Sequence, residues 1–140
     1  MKRHRVAVVG CGAIARGWHC PNIVASPRAE LAVVCDMNAE AAEACRQTFG
    51  ATRVCNDWRD VVRDPTADII VLSTHTNLRG DLILPALKAG KPVFVEKPLA
   101  DSMAEMGRIA TAVRDTGVPV CVCHNRRSSP AVLELKRLLD

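Results

Sequence analysis

The hexapeptide Gly10-Cys11-Gly12-Ala13-Ile14-Ala15 fits the pattern G-x-G-x-x-A. In that pattern the first glycine permits a tight turn out of a strand, and the second lets the backbone come close to a pyrophosphate. The small residue at the end lets the next helix pack against the sheet. Free N–H groups at the start of that helix, near Ala13 and Ile14, then face the anion. Asp36 follows at about the 20-residue spacing of an acid that accepts hydrogen bonds from both hydroxyls of an adenosine ribose. A carboxylate there repels a 2′-phosphate, and the next residues, Met37 and Asn38, supply no arginine to hold one. These residues point to a bound dinucleotide, with NAD favoured over NADP. Two plainer readings stand beside this one. The glycines could serve a corner alone, and Asp36 could cap the following helix, a role Asn38 could also fill. A methyltransferase shares the glycine turn and the acid, so the first forty residues do not separate it.

Seven cysteines stand at positions 11, 20, 35, 45, 55, 121 and 123. None of their spacings is a zinc-type C-x2-C, and no metal site is expected. Reduced, mostly buried thiols are the ordinary reading in a reducing compartment. Cys11 differs, because a thiol inside a glycine turn near a helix N-terminus could be reactive.

The rest of the composition is that of an ordinary soluble domain, with 49% hydrophobic and 24% charged residues and a net charge of +4. Basic residues cluster only in "KRHR" near the start and at Arg126-Arg127, and there are two Trp, two Phe and no Tyr. A single-strand binder needs stacking platforms beside its charge, so nucleic acid is not expected as a partner. No apolar run approaches the roughly 18 residues of a membrane span, and "VAVV" is too short for a signal-peptide core. A cytoplasmic location is expected.

The elements that must position the turn and the acid alternate along the whole chain. Strands are predicted near 5–9, 30–35, 52–55, 68–73, 92–95 and 118–123, and helices near 13–25, 38–48, 57–63, 78–89, 102–116 and 129–139. Gly50, Gly90 and Gly117 are placed to stop helices, and Asp101 or Ser102 to start one, with Glu105 positioned for a capping box. The strands read as continuous apolar runs, "VAVV", "LAVVC", "IIVL", "VFV" and "VPVCVC". Strands buried on both faces read this way, which means a parallel sheet covered by helices. The fold class is therefore α/β: a doubly wound, mostly parallel sheet in three α/β/α layers, the Rossmann fold, as one domain over residues 1–140.

By residue 98 the chain resembles a known family. "STHTNLRGDLILPALKAGKPVFVEKPLADS" is similar to a segment of the Gfo/Idh/MocA oxidoreductases, with "GKPVFVEKPLA" its most specific part. The ending "CHNRRSSPAVLELKRLL" resembles the family's "N-R-R-F-x-P" stretch and following helix. The resemblance implies that Ser73, Thr74 and His75 lie against the cofactor at the carboxyl end of the fourth strand. It places Glu96 beside the nicotinamide ribose and Lys97 toward the substrate hydroxyl, assisting proton transfer, with the Lys97–Pro98 bond often cis. Cys11, Met37 and Asn125 join the cofactor-binding set. A lysine suits proton transfer because its pKa shifts readily; without the resemblance, Lys97 is an ordinary surface lysine in a strand-to-helix loop. Two departures stand out. His75 replaces a common proline and is either a cofactor contact or a solvent-facing loop residue. Arg79 replaces a common histidine and is expected to alter the approach to the nicotinamide pocket.

Family members carry a second domain that supplies further substrate contacts, and the sequence ends at Asp140. The reading is thus the NAD(H)-binding domain of a sugar or cyclitol dehydrogenase, catalytically incomplete alone and needing a second domain for its substrate. The alternative is a non-catalytic dinucleotide-binding module or partner subunit, and NAD-dependent glycosidases also resemble the family. Apolar area left open by a missing cover favours self-association, so a homodimer is expected.

Overall fold

The computed structural model describes residues 3–140; Met1 and Lys2, part of the basic opening, lie outside the described residues. Six strands form one sheet: β1 (His4–Val9), β2 (Ala29–Cys35), β3 (Arg53–Cys55), β4 (Ile69–Leu72), β5 (Val93–Glu96) and β6 (Val120–Cys123). Their order is β3-β2-β1-β4-β5-β6, and every neighbouring pair is parallel. The chain winds outward from β1 in one direction, then returns to β1 and winds outward in the other. The reversal between β1 and β4 leaves a crevice at the carboxyl ends of the strands.

Alternation along the strands sorts the core onto two faces. Ala7 and Val9 of β1 and Ile70 and Leu72 of β4 pack with Val61, Ile83, Leu87 and Ile109. These come from α3 (Trp58–Arg63), α4 (Arg79–Lys88) and α5 (Met103–Thr116). Val6 and Val8 pack on the opposite face with Cys20, Ala42 and Cys45, from α1 (Cys20–Ala25) and α2 (Ala39–Phe49). The expected three layers are present. The last helix, α6 (Pro130–Leu139), buries none of its residues, and Leu133, Leu135, Leu138 and Leu139 are exposed.

Local chemistry places the helix ends close to where the spacing predicts them. Asn38 accepts from the amides of Glu40 and Ala41 and so caps α2, which leaves Asp36 free of that duty. Ser102, not Asp101, caps α5 by accepting from Glu105 N. The Glu105 side chain lies over Gly80, where a Cβ would collide with its carboxylate.

The helix predicted over 13–25 is not uniform. Its middle, Ala15–His19, is a π-helical turn, closed by Cys20 N donating to Ala15 O. Pro21 supplies the physical reason. It has no N–H to donate back along the helix, and its ring crowds the carbonyl four residues earlier. One widened turn relieves that contact. The expectation of mostly buried thiols holds for four of the seven cysteines. Cys11, Cys20, Cys35 and Cys45 are buried, but Cys121 is exposed and Cys55 and Cys123 are only partly covered.

Buried ionic contacts tie the loops at the amino ends of the strands. Asp64 accepts from the amide and hydroxyl of Thr66, both at 2.7 Å, and pairs with Arg53. Lys91, almost fully buried, donates to the carbonyls of Asp64 and Ala67. Burial alone would raise the Asp64 carboxyl, but the Thr66 bonds, Arg53 and Lys91 outweigh it and hold it below its ordinary value. A depressed carboxyl contributes stability above its unfolded pKa of about 3.9, and that contribution is lost as pH falls through the lower folded value. Asp64→Asn is therefore expected to cost about 1–3 kcal/mol at neutral pH. It should also flatten part of the loss of stability below pH 4, as checked by urea unfolding across that range.

Candidate functional site

A cleft of about 1070 Å³ opens at the β1/β4 crevice. It suits an extended ligand, being at the upper end of the range for small-molecule sites. Of the residues expected at the cofactor, Gly10, Gly12, Ala13, Ile14, Asp36, Met37, Ser73, Thr74, His75, Glu96 and Lys97 all line it. Asn125 lies outside that lining, in an exposed 3-10 turn over Asn125–Ser128. Cys11 sits behind the turn, nearly fully buried.

The two motif glycines do different work. Gly10 has φ +92°, and a Cβ there would stand 2.8 Å from the carbonyl carbon of Ser73. Only glycine allows the end of β1 to pass so close to the end of β4. Gly12 has nothing within 4 Å of a would-be Cβ. Its open space faces the cleft, beside the first helical N–H groups, which have no intrahelical acceptor. Gly12 thus leaves room for a ligand, whereas Gly10 leaves room for the protein itself.

Asp36 stands at one end of the cleft with its carboxylate already oriented. One oxygen accepts from Cys11 N at 2.7 Å and the other from Asn38 N at 2.9 Å. Each carboxylate oxygen retains acceptor capacity for a further donor. The thiol of Cys11 corrects the expectation of reactivity. Burial, then the neighbouring Cys45, pushes it well above its ordinary value, so it stays protonated and inert.

Ser73 Oγ and Thr74 Oγ1 are buried with no hydrogen-bond partner among the described residues. Buried hydroxyls are normally satisfied, and both residues line the cleft, so a ligand with polar atoms fits here. His75 is exposed on the cleft rim.

The segment around Glu96 closes the other end. Lys97 is exposed, and the Lys97–Pro98 peptide is cis. Arg79, at the position read in the sequence as altering the approach to the nicotinamide pocket, is among the residues that line the cleft. It is buried, and its guanidinium donates through Nε and Nη2 to the Thr74 carbonyl at 3.2 and 2.9 Å. Its Nη1 donates to the carbonyls of Glu96 and Pro98. One planar fork therefore fastens the loop after β4 to the loop after β5. Burial lowers the Arg79 pKa, with Glu96 and Asp101 acting against that.

Sequence reasoning missed several contributors. Asn56, Trp58 and Arg59, just beyond β3, line the cleft near Met37. The Arg59 guanidinium lies 4.6 Å from the Trp58 ring centre and 3.2 Å from Asp57. The residues adjoining Asp36 in sequence supply no cation, whereas this one arrives through the packing of β3 beside β2. His19, which bonds Glu96, is likewise invisible to any motif. No group of three or more metal-ligating side chains occurs among the described residues, and no helix there is long and apolar enough to cross a membrane.

The oxidoreductase family Gfo/Idh/MocA, with its NAD-binding Rossmann fold, matches residues 4–124. The chain belongs to that family. It is 36% identical over 137 residues to the scyllo-inositol 2-dehydrogenase (NAD(+)) of Bacillus subtilis strain 168, covering 97% of this chain and 40% of the relative. The crystal structure of GenD2 from gentamicin A biosynthesis, in complex with NAD, superposes with a TM-score of 0.92 at 29% identity. That match covers 99% of this chain and 39% of GenD2. KijD10, a 3-ketoreductase of Actinomadura kijaniata solved with NADP, shares the fold at a TM-score of 0.92 and 24% identity, over 99% of this chain and 44% of that one. The chain thus spans about 40% of the length of such Gfo/Idh/MocA relatives, and it is their NAD-binding Rossmann domain.

The two glycines yield a paired prediction. Gly10→Ala is expected to destabilise the fold by about 2–5 kcal/mol through backbone strain and collision with Ser73. Gly12→Ala should stay within about 0.5 kcal/mol of the parent in thermal unfolding, yet lose nucleotide affinity in titration.

Proposed function

We propose that the chain binds NAD(H) along this cleft, with the adenosine ribose on Asp36 and the nicotinamide end beside Glu96 and Lys97. The observation that carries the reading is the spacing of groups along one crevice. A pre-oriented carboxylate stands at one end, open backbone at Gly12 lies in the middle, and two unsatisfied hydroxyls and a lysine lie toward the other end. NAD(H) held there supplies a hydride acceptor or donor. The chain's own residues orient it: helix-start N–H groups meet the pyrophosphate, and Ser73 and Thr74 give their hydroxyls to the ligand.

The reaction we infer is hydride transfer between nicotinamide and a secondary hydroxyl, or the corresponding ketone, of a sugar or cyclitol. The name of the B. subtilis relative supports this class. Lys97 would hold or release the hydroxyl proton at Nζ, which its place on the cleft rim permits. Groups that select and enclose the substrate lie beyond those we assign in this cleft, and a second domain or partner would provide them.

NAD is preferred over NADP because the Asp36 carboxylate opposes a 2′-phosphate. Arg59 is the nearby cation that could offset it, but it is engaged with Asp57 and Trp58. Calorimetric titration with NAD and NADP tests this preference. NAD is expected to bind at least tenfold tighter, and Asp36→Ala to weaken NAD about tenfold while leaving NADP unchanged or improved. Tighter binding of NADP to the parent chain would overturn the preference.

A further inference from the structure

The π-helical turn Ala15–His19 ends on a histidine whose side chain reaches across to the sheet. His19 Nε2 lies 3.0 Å from Glu96 Oε1, with the two side chains only 12% and 15% exposed. The Phe94 ring meets the imidazole edge-on, with centroids 5.7 Å apart and planes at 78°, which restricts its rotation. Trp18, the preceding residue, is exposed, so the widened turn sends one bulky side chain out and the next one in. Such turns recur at functional sites in other helices. Here the turn carries a polar group to the residue immediately before Lys97.

We propose that His19 is a positioning residue for the nicotinamide half of the bound dinucleotide. It holds one oxygen of the Glu96 carboxylate, so that the remaining acceptor sites face a ribose hydroxyl in the cleft. The inference rests on the NAD(H) reading above, and it concerns a residue outside the glycine motif and outside the cleft lining. Three further contacts bear on the same short segment. The Cys123 thiol of β6 faces the Glu96 carboxylate; burial first, and then that carboxylate, raises its pKa. Arg79 of α4 grips the carbonyls of Glu96 and Pro98. Main chain and side chain of Glu96 are thus anchored from different elements: the backbone by α4, and the carboxylate by the turn before α1 and by β6. A carboxylate with four acceptor positions can satisfy His19 and still accept from a ligand. Without His19 it would lose its fixed rotamer, and the ordering of that rotamer would fall to the ligand.

The test compares NADH with ADP, which shares the adenosine and pyrophosphate but lacks the nicotinamide ribose. His19→Ala is expected to weaken NADH about tenfold while leaving ADP within twofold. His19→Gln, which keeps a donor within reach of Glu96, should restore most of the NADH affinity. In a Glu96→Gln background, His19→Ala should have little further effect, because both variants break the same contact. Equal losses for NADH and ADP, unchanged NADH binding, or additive effects in the double variant would each overturn the inference and leave the NAD(H) reading intact. Failure of the parent chain to bind either nucleotide would remove that reading, and this inference with it.

Discussion

The passage of the Gly10 backbone against the carbonyl of Ser73 is the contact on which the site depends. At 2.8 Å from a would-be Cβ, it leaves no room for any side chain. The contact lies where the winding reverses between β1 and β4, at the carboxyl ends where the crevice opens. Ser73 and the adjoining Thr74 stand on the cleft wall with their hydroxyls unsatisfied among the described residues. Packing and ligand binding meet in one turn, and the two glycines divide the work between them.

The two ends of the cleft are prepared differently. At Asp36 the preparation is local: two backbone amides, one from the glycine turn and one from its own loop, hold the carboxylate. At Glu96 and Lys97 it is long-range. The planar fork of Arg79 spans loops from two strands, and His19 arrives from a helix on the other side of the sheet. Buried carbonyls need donors, and an arginine can satisfy several at once where a histidine could not. This explains how the chain carries arginine at that position without disturbing the loop geometry. The charge is engaged by three backbone carbonyls, and the residue itself lines the cleft.

The uncovered apolar surface of α6 belongs to the same picture. Its leucines are each more than half exposed, while both faces of the sheet around β1 and β4 are thoroughly covered.

Much of this was legible in the chain itself. Continuous apolar strands announce a sheet buried on both faces, and glycines and capping side chains mark the helix ends, because these signals depend on neighbours in sequence. The glycine turn and Asp36 were readable for the same reason: each motif sits at one strand's end and its spacing is local. What only the tertiary structure decided are contacts between residues far apart in the chain. Asn56, Trp58 and Arg59 reach the cleft because β3 lies beside β2; Arg79 turns inward because three carbonyls await it; His19 meets Glu96 because Pro21 widens a turn. Cys11 was misread for a related reason. Its motif position suggested a reactive thiol, whereas packing against Cys45 buries it and keeps it protonated. Periodicity and spacing determine which elements form, but the sum of burial and hydrogen bonding across the sheet decides which side chains they bring together.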